Sequence, residues 1–223
     1  MQTQRLNMGD CGIACMSMIH QYYHGAHDYD AYASGVTMVK TGSEDDLGMM
    51  MPGIGAYLLD DYDARMVFAN PQLFADSDLG AGMDRVRDAL DEKTVKTTKP
   101  NDIEALKSFT AFSGKGGQVE VAIPTLDHIR AEIDQGRPLI ALGTSRFLYG
   151  LRGMNFHFTV VTGYDDEYIY INNPGLLPDG TPTGKGRHPI DQWFYCLYSS
   201  GYADMDNASL LMLTPKGTKN GTV

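Results

Sequence analysis

The chain has 223 residues, with 28 Asp and Glu against 18 Lys and Arg, so its formal net charge is −10, and 43% of it is hydrophobic. This length and apolar content rule out a disordered chain and support one folded domain, placed at residues 1–215, with a polar, mobile tail at 216–223. The acidic balance gives no footprint for a phosphate backbone or an anionic bilayer, which excludes nucleic-acid binding and leaves a peptide, a protein or a small molecule as the partner.

In chain order, Asp10 is placed to cap a helix from Cys11 to Tyr23. At 100° per residue Cys11, Ala14, Cys15, Met18, Ile19 and Tyr22 share its buried side, while Ile13, Ser17 and His20 point away. Ser43 is placed to cap a second helix through Leu47 and Met50 that breaks near Pro52-Gly53, with an apolar stretch following at Ile54 to Leu59. Met49-Met50-Met51 reads as core packing or as the lining of an adaptable groove. Arg65 to Ala69 reads as a strand, Met83 to Leu90 and Asp102 to Phe112 as helices, and Ser113 to Gly117 as a loop. Then come a strand at Val119 to Ile123, a helix from Thr125 to Gln135 stopped by Gly136, and a strand at Pro138 to Leu142. Phe156 to Tyr164 and Tyr168 to Asn172 form a hairpin around Asp165-Asp166, and a helix at Ile190 to Tyr198 precedes a last strand at Ser209 to Thr214. Helices first and an antiparallel sheet after them make an α+β fold.

Three cysteines, Cys11, Cys15 and Cys196, are too few for a disulfide framework, and the N-terminus has no charged-then-apolar signal. No run approaches the roughly 18 uninterrupted apolar residues of a membrane helix. The expectation is a protein made in the cytoplasm, not inserted in a membrane, and exported, if at all, without a signal peptide. No cofactor or metal is expected. Gly114-Lys115-Gly116-Gly117 lacks the spacing of a phosphate loop, and Asp76-Ser77-Asp78 begins like a calcium loop but has Gly80 at its fifth position.

Cys11 opens its helix, where the helix N-terminus favours the thiolate that attacks a carbonyl carbon. A base must come from elsewhere. His20 and His24 lie on the same helix, about 13 Å or more along its axis, and on one helix they and the two cysteines face nearly opposite sides, which also excludes a zinc site there. His27 and His188 fall in loops and His128 on an amphipathic helix. His157 begins an apolar, β-branched strand, and Asn173 ends the returning strand of the same hairpin, so Asn173 can hydrogen-bond the ring and orient it.

Gly9-Asp10-Cys11-Gly12-Ile13-Ala14-Cys15-Met16-Ser17-Met18-Ile19 resembles the nucleophile helix of the papain-like peptidases related to bacteriocin-leader (double-glycine) peptidases. The segment from His157 to Asp165 and the Asn172-Asn173-Pro174 corner resemble that family's histidine strand and its Asp/Asn-Pro corner. The resemblance implies a papain-like fold with an N-terminal nucleophile helix packed on the sheet, and a cysteine peptidase or amidase acting on a peptide or protein. By the same resemblance Cys11 is the nucleophile, His157 the base and then the acid, and Asn173 the orienting residue, with the oxyanion held by the Cys11 N–H and by Gln4. Gln4 lies seven residues before Cys11 rather than the family's six, and the corner is Asn rather than the group's usual Asp. An acyltransferase or transglutaminase-like enzyme of this fold is the alternative reaction, and a bacterial effector or toxin amidase cleaving host protein or cell-wall peptide the alternative setting.

Overall fold

The computed structural model describes residues 9–26, 28–36, 38–40, 47–153, 155–202, 205–206 and 208–217. Their helices are α1 (Cys11–His24), α2 (Tyr29–Gly35), α3 (Met51–Leu58), α4 (Met83–Lys96), α5 (Pro100–Gly114), α6 (Leu126–Ile133) and α7 (Ile190–Ser199). The strands are β1 (Val39–Lys40), β2 (Leu47–Gly48), β3 (Tyr62–Phe68), β4 (Gln118–Val121), β5 (Leu139–Gly143), β6 (His157–Tyr164), β7 (Tyr168–Leu176), β8 (Pro182–Pro189) and β9 (Ser209–Pro215). Seven of them form one sheet in the order β4-β3-β9-β5-β6-β7-β8, and β1 pairs with β2 apart from it.

Residue alternation explains the layering. Ile140 and Leu142 of β5, Phe158 and Val160 of β6, and Leu211 and Leu213 of β9 face a core shared with α1, α3 and α5. Their neighbours Leu139 and Ala141, Val161, and Leu210 and Met212 face a second core closed by α6 and α7. A strand with apolar side chains at both parities must be covered on both faces, and here it is. α7 comes closest at Gly143, where a Cβ would lie 3.2 Å from the Leu197 Cα, so the helix backbone seats directly on the strand.

The fold is α+β as expected, but three local readings change. The sheet is mixed, because β3 pairs parallel with β4 and antiparallel with β9, so the helical first half also contributes a strand to the sheet. The helix expected through Leu47 and Met50 is absent: Leu47–Gly48 is a strand, Ser43 lies outside the described residues, and Pro52 sits in the first turn of α3 instead of breaking a helix. Proline fits there because the first turn needs no N–H partner. β8 gave no periodic signal, since it is largely polar and, among the described residues, pairs only with β7 along the sheet edge.

α1 departs from a one-sided surface helix. Residues 11–19 are buried all round, Ile13 and Ser17 included, because the helix runs between β6 and β7 on one side and α2 and α3 on the other. Tyr22, expected inside, is 57% exposed, and its hydroxyl donates to the Gly136 carbonyl at 2.6 Å. Asp10 makes no side-chain cap. An N-cap uses an extended backbone, whereas Asp10 at φ −90°, ψ 19° has already turned, and its buried carboxylate accepts the Tyr29 hydroxyl from α2.

Candidate active site

Helix α1 presents Cys11 at its first turn, against the start of β6. Gly12 lets Met49 and Ile54 crowd the same turn, since a Cβ there would lie 2.8 Å from the Met49 sulfur and 2.9 Å from Ile54 Cδ1. The thiol faces two groups of β6 that favour its thiolate form, the His157 ring and the Phe158 backbone N–H. On the far side of the ring, His157 Nε2 lies 2.7 Å from Asn173 Oδ1. Cys11, His157 and Asn173 thus meet in one buried row, at 7%, 8% and 1% exposure.

The β6–β7 hairpin sets this geometry. Val160 pairs with Asn172, so the start of β6 and the end of β7 meet at the open end of the hairpin, where the register of β7 shifts between Asn173 and Leu176. The Gly175 N–H donates to Asn173 Oδ1 at 2.7 Å. A Cβ at Gly175 would stand 2.9 Å from Asn173 Oδ1 and 3.0 Å from His157 Nε2, so only glycine lets the strand pass the pair. Because an N–H can only donate, the Gly175 contact fixes the oxygen end of the Asn173 amide toward the ring. His157 therefore donates through Nε2 and turns Nδ1 to the thiol.

Electrostatics follow from these contacts. Burial pushes the Cys11 thiol up, but the His157 charge, the ring hydrogen bond and the Phe158 N–H together bring it below its ordinary value, with the Asp10 carboxylate opposing them. Burial likewise pulls the His157 imidazole down, while the Cys11 thiolate and the ring's hydrogen bonding toward Cys11 and Asn173 raise it above its usual value. The two shifts describe one coupled thiolate–imidazolium pair. Cys15, one turn further along α1, has no such partner: burial and the neighbouring Cys11 hold its thiol well above the ordinary range. Burial pushes Cys196 up to about 11.

A cleft of about 840 Å³, part of it open to solvent, runs past His157 and Asn173 and is walled by Ser145, Arg146, Tyr149, Leu176 and Pro178. Gln4 and His27 lie outside the described residues. His128 caps α6 through its Nδ1, accepting the Thr125 N–H at 3.0 Å, and His188 is buried on β8. Met49, Met50 and Met51 are all core. Asp78, considered for calcium, pairs with Arg85 at 2.8 Å. Among the described residues no group of three or more His, Cys, Asp or Glu is placed to hold a metal ion, and no helix is long and apolar enough to cross a membrane. The Phe158 N–H, Gly175 and Tyr149 were not singled out by sequence. Only Gly175, directly after Asn173-Pro174, carried a local signal.

The chain matches the Peptidase_C39 like family over residues 1–181. A crystal structure described as that of a C39-like peptidase from Bacillus anthracis superposes with a TM-score of 0.52 at 11% identity, covering 97% of this chain and 94% of that one. No curated protein matches the chain. At that identity the structural likeness speaks for the fold, which is papain-like, and the family match speaks for the activity. The chain belongs to the Peptidase_C39 like family and is a papain-like cysteine peptidase.

Proposed function

We propose that the protein cleaves an amide bond of a peptide or protein through a thioester on Cys11, with His157 as base and acid and Asn173 holding the ring. The observation that carries this reading is the buried row in which Cys11 meets His157 and His157 Nε2 lies 2.7 Å from Asn173 Oδ1. The Cys11 proton passes to His157 Nδ1, and the thiolate attacks the carbonyl carbon. The oxyanion is held by the Cys11 N–H and the Gln4 amide, each such donor being worth about 10²–10³ in turnover. As the C–N bond breaks, the imidazolium protonates the leaving amine. His157 then takes a proton from water, which attacks the thioester, and the acid leaves as the thiol–imidazole pair is restored. The leaving amine must lie against His157, and the open cleft beside His157 and Asn173 gives it room.

The test is to incubate a proteome-derived peptide mixture with the wild type and with Cys11→Ala and to profile new N-termini. New termini from the wild type alone are expected. The same termini from both proteins, or none from either, would overturn the assignment.

A further inference from the structure

We propose that Tyr149 is a positioning residue for the His157–Asn173 pair, acting through the Asn173 amide. The inference rests on reading Cys11, His157 and Asn173 as the catalytic row.

An asparagine amide has nearly the same shape at both ends. Turned over, it would present NH₂ to His157, which could then only accept at Nε2. That forces the neutral ring's proton to Nδ1, facing the thiol, where it can no longer take the thiol's proton. The Gly175 N–H, 2.7 Å from Oδ1, holds one end of the amide. The other end is held by Tyr149, whose hydroxyl accepts from Asn173 Nδ2 at 2.9 Å. Asn173 is 1% exposed, so its amide has little access to bulk water as a substitute acceptor. Without it, a buried NH₂ is left unpaired and only the Gly175 N–H remains to hold the amide against the ring.

Tyr149 itself is clamped. It ends a 3₁₀ turn at Arg146–Tyr149, and Gly150 closes that turn at φ 69°. Asn155 Oδ1 accepts the N–H groups of Ser145 and Arg146, each at 3.0 Å, and so ties the turn to the chain just before β6. The Tyr149 ring packs edge-on against buried His188 at 5.4 Å, and its hydroxyl lies beside Thr183. Thr183 in turn donates to the Gly175 carbonyl at 2.8 Å, with the Asn173 carbonyl also in reach of the same hydroxyl at 3.2 Å. Side chain and backbone of the Asn173 corner are therefore gripped from one side by the β5–β6 loop and β8 together.

The experiment measures the rate at which iodoacetamide alkylates Cys11, resolved by mass spectrometry, across pH. The proteins are the wild type, His157→Ala, Tyr149→Phe, Asn173→Ala and the Tyr149→Phe/Asn173→Ala double variant. Tyr149→Phe should slow alkylation at neutral pH by about three- to tenfold and move the midpoint of its profile to higher pH, since the imidazolium that supports the thiolate loses part of its hold. Added to Asn173→Ala, it should change nothing further. In the wild type, NMR should show the Asn173 side-chain amide protons protected from exchange, a measurement that needs no variant to fold. If His157→Ala reacts like the wild type, the catalytic row itself is wrong. If His157→Ala is slow while Tyr149→Phe is unchanged, or slows equally without Asn173, or if the wild-type Asn173 protons exchange freely, the row stands and the role of Tyr149 falls.

Discussion

The two ends of α1 carry the same kinds of residue in opposite circumstances. At the first turn, Cys11 meets His157, a ring whose Nε2 lies 2.7 Å from Asn173 Oδ1 and whose charge is supported by the thiolate. At the last turns, His20 and His24 pack ring to ring at 4.5 Å, His20 stands edge-on to Tyr32 at 5.7 Å, and the buried His20 Nδ1 has no hydrogen-bond partner among the described residues. One imidazole is wired to polar groups on both sides and the other is packed as an aromatic plate. Residue type is therefore not what makes a site here. The sheet brings an acceptor and a thiol to His157, and none of the described elements brings either to His20.

That comparison can be broken most directly at His157. In the wild type Cys11 should alkylate as a thiolate at pH values below the ordinary thiol range, the rate falling as pH drops through its lowered pKa. His157→Ala removes the charge and the ring hydrogen bond that oppose burial, so the titration should move upward, with alkylation near pH 7 slowed by at least about tenfold and peptide hydrolysis by about 10³-fold or more. An unchanged profile would mean that the sheet contributes nothing to the thiol. The next largest effect is expected from Gly175→Ala. Its Cβ must push Asn173 or His157 aside, and a displacement of that kind costs about 10² in turnover. Turnover within twofold of the wild type would show that the row tolerates a shift. The smallest effects belong to Cys15→Ala and His20→Gln, which should leave hydrolysis within about twofold while urea unfolding shows a loss of about 1 kcal/mol for Cys15→Ala. Loss of activity in either would place chemistry where the structure shows packing.

Much of this was legible in the sequence because it is written in local pattern. Cys11 at a helix start and His157 and Asn173 at the two ends of a hairpin follow from periodicity and turn chemistry, and the structure brings the three together. Other features depend on which elements become neighbours. Ile13 and Ser17 are buried because α2 and α3 cover the side of α1 that its own pattern left open. Asp10 spends its side chain on Tyr29, nineteen residues away, instead of on its helix. Tyr149 reaches Asn173 across 24 residues from a loop without a repeating pattern. The parallel pairing of β3 with β4 closes only after α4 and α5 intervene, and a run of apolar residues does not reveal its partner's direction.

The place of β9 has a consequence for the order of events during synthesis. This strand, residues 209–215, lies between β3 and β5, so until it is made the sheet exists as two separate pieces, β4-β3 and β5-β6-β7-β8. α3 belongs with the first piece and the sheet contacts of α1 with the second. Joining them requires a contact between distant parts of the chain, which closes slowly and late. A nascent chain on the ribosome therefore carries its cysteine and histidine well before it has the continuous framework that holds them, and the enzyme comes into being only as β9 slots into the middle.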